Sequence, residues 1–144
     1  VRLNRSTDIS LRILMLAAAR DDLLTIDELA SSLAVPRSHL AKVVQRLQHS
    51  GLLDTVRGRN GGVRLAPQAV AASVGALVRD LEGETEVVEC GGDQPCPLNV
   101  GCRLRGALRV AQEAFYASLD PITIGDLTAP PMRETLLSIG RHPF

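Results

Sequence analysis

Start and stop signals for two helices crowd into residues 25 to 51, and that crowding leaves few folds open. "TIDELASSLAV" places Thr25 three residues before Glu28, the spacing of a capping box at a helix N-terminus. "VPRSHLAKVVQRLQHSG" follows at once. Pro36 suits a first helical turn, and Gly51 suits a left-handed stop after the last one. Leu40, Val43, Val44 and Leu47 recur at helical spacing and supply an inward face. The outward side carries Arg37, Ser38, His39, Lys42, Arg46 and His49. Two short helices joined by a tight turn, the second basic from its start, read as a helix-turn-helix.

The flanks extend that reading. Upstream, "TDISLRILMLAAAR" predicts a helix N-capped by Thr7 or Asp8, with Leu11, Leu14, Met15 and Ala18 on one face. Downstream, "LLDTV" and "VRLA" read as paired strands around the loop "RGRNGG", so a hairpin wing follows the second helix. Its glycines, Gly58, Gly61 and Gly62, are expected to let the backbone approach a groove. Charge agrees. Residues 1–65 hold ten Lys/Arg against six Asp/Glu, and the remainder holds six against ten. A basic first half joined to an acidic second half points to a polyanion on the first, here double-stranded operator DNA. Lys42, Arg46, Arg57 and Arg59 are the candidate phosphate contacts, and Asn60 accompanies them in the wing loop. Arg37, Ser38 and His39 stand where a recognition helix reads base edges.

The second half reads as connection, thiol loop and long helix. Ser73 opens "SVGALVRDLEG", which Gly83 closes, and an acidic strip follows. "CRLRGALRVAQEAFYASLD" repeats apolar residues at Leu104, Leu108, Ala111, Phe115 and Leu119. So small a domain cannot bury that stripe alone, and a second copy of the chain is the simplest cover, giving a two-fold homodimer. "PITIGDL" predicts one short helix more, and the tail from Ala129, His142 included, is given no role. With no Trp, one Tyr and two Phe in 144 residues, the core must be aliphatic and favours helices over a sandwich. No apolar run is long enough to span a membrane and the start lacks a signal-like segment, so a soluble cytoplasmic protein is expected. Phosphate-binding glycine loops and zinc-protease motifs are missing, so the chain is expected not to be an enzyme.

All three cysteines lie in "CGGDQPCPLNVGC", with five residues between successive thiols. Reduced thiols gathered on flexible backbone are metal ligands more readily than packing residues. Zinc ligands are usually closer together within each pair and number four in all. Three soft thiolates on a glycine-bearing loop therefore suit an iron–sulfur cluster better than tetrahedral zinc. A zinc-stabilised regulator and an electron-transfer protein remain the alternatives at this point.

"TDISLRILMLAA", "RGRNGGVRLA", the spaced cysteines with "CPL" and "CRLR", and "LDPITIGDL" together resemble the iron–sulfur winged-helix transcriptional regulators, and within them the nitric-oxide-sensing repressors. The resemblance covers residues 1–128. It implies that Cys90, Cys96 and Cys102 hold an iron–sulfur cluster, that the long helix pairs two subunits, and that nitrosylation of the cluster releases operator DNA. Iron-status-sensing members of the family place a histidine ligand three residues after the last cysteine. That position is Arg105 here, and arginine stays protonated and cannot ligate a metal. In some nitric-oxide-sensing members an N-terminal aspartate of the partner subunit completes a 4Fe–4S cluster, and Asp8 stands at the matching position. The resemblance therefore favours 4Fe–4S over 2Fe–2S, with a regulator of the same fold that senses iron or cluster status as the second reading. The layout expected is mostly α with a small β-hairpin wing. It comprises a winged helix-turn-helix over 1–66, connecting helices over 67–89 and a cluster-binding loop over 90–102. The dimerisation helix with a short following helix spans 103–128, and the tail spans 129–144.

Overall fold

The computed structural model describes residues 1–140, so His142 lies outside the described residues. Its centre is a helix, α1 (Arg5–Ala19), sunk into the protein on several sides: Ile9, Ile13, Leu14, Leu16 and Ala17 are all buried. This is more than the single face read from Leu11, Leu14, Met15 and Ala18. The helix also begins earlier than expected. Asn4 is the N-cap, its side-chain oxygen accepting the Thr7 N–H at 2.8 Å, so neither Thr7 nor Asp8 fills that position. The cause is tertiary: Glu82 accepts the Asn4 N–H at 2.9 Å and the Thr7 hydroxyl at 3.1 Å, holding the cap from 75 or more residues away.

Helices α2 (Ile26–Leu33) and α3 (Arg37–His49) form the helix-turn-helix. Thr25 caps α2 by accepting the Glu28 N–H at 3.1 Å. The turn closes through Ala34, left-handed at φ 54° without being glycine, while the Val35 N–H returns to the Ala30 carbonyl at 3.0 Å. Leu40, Val43, Val44 and Leu47 seat α3 on the core, and Gly51 (φ 77°) follows its last turn.

Strands β1 (Leu53–Val56) and β2 (Gly62–Leu65) pair antiparallel, from Leu53 opposite Leu65 to Val56 opposite Gly62. The segment between α1 and α2 joins them. Leu24 exchanges both backbone hydrogen bonds with Val63, at 2.9 and 2.8 Å. That contact explains Gly62, because a Cβ there would collide with the Leu24 carbonyl, and one at Gly61 would collide with the Val56 carbonyl. Both glycines thus serve packing inside the protein, and Gly58 (φ 113°) is the one whose Cα faces open space.

After a 3-10 turn (Pro67–Ala71) comes α4 (Val74–Glu82), capped by Ser73 and closed by Gly83. It packs on the long α5 (Arg103–Leu119), where Gly75 lets the backbone of Asp120 approach. Helix α6 (Ile124–Leu127) starts with a full Thr123–Asp126 capping box. The tail holds a helix that sequence reading passed over, α7 (Met132–Ser138). It docks on α1 through buried Leu136, and Arg20 donates to the Ile139 carbonyl at 2.6 Å. No helix of the described residues is long and apolar enough to cross a membrane.

Candidate functional site

Gln48 of α3 donates to the Thr55 hydroxyl of β1, linking recognition helix to wing. Ser38, Lys42, Arg57, Arg59 and Asn60 are exposed, and His39 is half-buried. Two basic residues are already engaged within the chain. Arg37 pairs with Asp27 of α2 through Nε at 2.6 Å, an exposed pair that DNA can outcompete. Arg46 donates through Nη2 to the Leu81 carbonyl at the end of α4, at 3.3 Å.

In the thiol loop Cys90 is buried while Cys96 and Cys102 are half-buried, and all three are free. The Cys96 N–H donates to the Cys90 carbonyl at 2.9 Å, folding the loop back on itself, and Cys102 is the N-cap residue of α5. Arg105, one turn into α5, straps the loop down. It grips Glu86 (Nη2 to Oε2, 2.9 Å) on one side and the Asn99 side-chain oxygen (2.7 Å) on the other, and Arg109 also bonds Glu86. The Arg105 guanidinium is raised above its usual range by its hydrogen bonds to Glu86, with added contributions from nearby Cys90 and Cys102. Its positive charge therefore sits near two of the three thiols. The residue that departs from the histidine pattern thus has a defined task. Its partner Asn99 was not singled out from sequence, nor was Glu86 within the acidic strip.

Glu86 is held below the usual carboxylate range, first by the Arg105 hydrogen bonds and then by Arg109. The sign follows. A depressed folded pKa means that the contribution of Glu86 is complete above its ordinary value near 4.5 and is lost as pH falls through the lower folded value. In cluster-free protein, loop amide exchange corrected for intrinsic rates should stay flat from about pH 7 to 5 and rise below the ordinary carboxylate range. At pH 7, Glu86→Gln should expose Arg103 and Arg105 to trypsin several-fold faster than in wild type. Equal cleavage rates would show that the strap does not hold the loop.

Asp8 is half-buried and clasped by Arg12 in two bonds, Nε to Oδ1 at 2.9 Å and Nη2 to Oδ2 at 2.7 Å. It opens on a cleft of about 760 Å³ lined also by Arg2, Arg5, Glu82 and Glu86. Among the described residues no three His, Cys, Asp or Glu side chains converge as a metal site, so the three thiols themselves are not drawn to one point and Asp8 does not complete such a group with them. The donor set nevertheless fits an iron–sulfur cluster. Three reduced thiols share one loop with positive φ at Gly92 and Gly101, which gives it the freedom to close, and the Arg105 cation lies near two of them.

The apolar stripe of α5 divides. Phe115 and Leu119 pack on the core of their own chain, while Leu104 and Ala111 are exposed and Leu108 is half-buried. Only Tyr116 of this helix is buried, beneath the Arg79 guanidinium, and sequence reading did not mark it. Leu104 stays 64% exposed and Val110 72% exposed, so these two apolar side chains of the first half of α5 have no cover within the chain.

The Rrf2 model, described as an iron-dependent transcriptional regulator, matches residues 3–130. The chain belongs to the Rrf2 family. Like other Rrf2 proteins it is a transcriptional regulator, and its kinship lies with repressors. It is 52% identical over 146 aligned positions to the HTH-type transcriptional repressor NsrR of Streptomyces coelicolor, covering 99% of each chain. It is 38% identical to the HTH-type transcriptional regulator NsrR of Geobacillus kaustophilus, covering 88% of this chain and 89% of that one. Among solved structures it resembles IscR of T. potens (TM-score 0.66, 19% identity, 88% of this chain and 85% of that one). It also resembles CymR, the global cysteine regulator of B. subtilis (TM-score 0.61, 25% identity, 88% and 95%). These likenesses establish the Rrf2 fold, mostly helical with a two-stranded wing, as expected from sequence.

Proposed function

We propose that the chain is a nitric-oxide-responsive repressor, a cytoplasmic homodimer that holds double-stranded operator DNA while an iron–sulfur cluster of the 4Fe–4S type is intact. One observation carries this reading: three free thiols on a single strapped loop, in an Rrf2 chain 52% identical to a repressor named NsrR. Cys90, Cys96 and Cys102 would hold the cluster, with the partner subunit's Asp8 as fourth ligand. The uncovered Leu104 and Val110 of α5 support a dimer, and dimerisation suits a near-palindromic operator met by two recognition helices.

When bound, the cluster supplies iron that reacts with nitric oxide, and a carboxylate is a harder and weaker ligand for that iron than thiolate. The chain does the rest. Arg105 places positive charge beside the thiols, Arg12 keeps Asp8 oriented into the cleft, and Glu82 anchors the start of α1, on which Asp8 stands. Ser38, His39 and, once released from Asp27, Arg37 face base edges, while Lys42, Arg57, Arg59 and Asn60 face phosphate or the minor groove.

The test is an anaerobic titration of cluster-loaded protein with nitric oxide, following cluster absorbance and operator affinity together. Affinity should fall in step with the bleaching, and unchanged affinity after complete bleaching overturns the reading. The description of the family as iron-dependent favours a second reading, a sensor of iron or cluster supply. Iron chelation releasing DNA while nitric oxide does not would support it.

A further inference from the structure

We infer that Arg46 couples the thiol loop to the recognition helix instead of serving as a phosphate contact. This rests on the reading above, in which cluster state governs DNA binding. The last turn of α4 leaves carbonyls without helical partners, and the Gly83 N–H returns only to Arg79. Arg46 Nη2 reaches the Leu81 carbonyl at 3.3 Å, placing a cation at the negative end of that helix. Leu81 is itself buried, so its carbonyl is a firm anchor.

Residues 81–86 form a junction of three elements. Leu81 receives the recognition helix. Its neighbour Glu82 accepts the Asn4 and Thr7 donors at the start of α1, four residues from Asp8 and less. Glu86 is held by Arg105 and Arg109 of α5, whose N-terminus carries Cys102. Displacement of the loop that loads the 81–86 segment therefore has a direct polar route to α3 through the Arg46–Leu81 hydrogen bond, beside the packing of α1 on α3. Of the arginines on α3, Arg37 is engaged with Asp27 of α2, and the bond to α4 is made by Arg46. Arg46 also stands in the third turn of α3, behind the N-terminal residues that read bases.

A guanidinium has five donors and could serve carbonyl and phosphate together, so the two roles must be separated by measurement. Full-length wild type, Arg46→Gln and Arg46→Lys are each prepared loaded with cluster and cluster-free. Operator affinity is measured across a salt series, alongside thermal melting. Arg46→Gln is expected to shrink the loaded-to-free affinity ratio at least fivefold while leaving the slope of log affinity against log salt unchanged. Arg46→Lys, which still donates to a carbonyl, is expected to restore most of the ratio. A wild-type ratio kept by Arg46→Gln, with a slope shallower by about 0.9 per lost contact, makes Arg46 a phosphate ligand and overturns the inference. Equal weakening of both forms with a lowered melting point makes it merely structural and overturns it too. A wild type whose two forms bind alike sinks both this inference and the reading beneath it, whereas the preceding outcomes sink the inference alone.

Discussion

Cys96→Ser should fold, hold almost no iron and bind its operator about 100-fold or more weakly than cluster-loaded wild type. The side chain is half-buried and lies outside the hydrophobic core, and the bond that shapes the loop here runs from the backbone N–H to the Cys90 carbonyl at 2.9 Å. Serine keeps that bond and almost the same volume. It replaces a soft thiolate by a hydroxyl that stays protonated and ligates iron poorly. With two thiols and a carboxylate left, the donor set no longer matches a cluster. Specific operator binding typically exceeds non-specific binding by about 10³-fold or more, so a protein locked in the released state has that far to fall. Iron per chain, anaerobic absorbance and fluorescence anisotropy on operator and scrambled DNA measure the effect. Full iron content in the variant would remove Cys96 from the ligand set, and tight operator binding by the iron-free variant would detach DNA binding from the cluster.

Leu40→Ala should cost about 2–5 kcal/mol of stability. Leu40 is 0% exposed and lies on α3, where it holds the recognition helix against the core with Val43, Val44 and Leu47. Truncation removes the transfer energy of three carbons and leaves a cavity that a helix pinned by a short turn cannot collapse to fill. Against a typical domain stability of about 5–15 kcal/mol the loss is large. The melting point of the cluster-free chain should drop by about 5–15 °C. Operator affinity should fall as well, because the helix that carries Ser38, His39 and Lys42 loses its seat. Lys42→Ala provides the contrast. It should leave melting almost unchanged and weaken binding to all sequences alike. Thermal denaturation by circular dichroism decides this, and a shift below about 2 °C for Leu40→Ala would show that α3 is not held where the core contacts place it.

Much of the fold was legible because its signals are short-range. The Thr25 cap, the Leu40–Leu47 periodicity, Gly51 and the strand–loop–strand pattern around "RGRNGG" each act over a few residues, and each reappears in the structure. Gly61 and Gly62 of the wing meet neighbours within the chain that sequence reading did not name. Gly62 yields to the Leu24 carbonyl, a contact between segments 38 residues apart. Helix α7 was missed because Pro130 and Pro131 precede a stretch only seven residues long, whose helix is justified by Leu136 against α1 and not by any local pattern.

The candidate site divides in the same way. The spacing of three thiols, the basic face of α3 and the arginines of the wing are properties of neighbouring residues, so sequence alone determined them. The bond from Asn4 to Glu82, the strap from Arg105 to Glu86 and the bond from Arg46 to Leu81 join residues 78, 19 and 35 positions apart. Which donor meets which acceptor across such distances depends on how whole helices pack. Only the tertiary structure decided those partners, because a charged side chain takes the nearest unsatisfied group that folding brings to it.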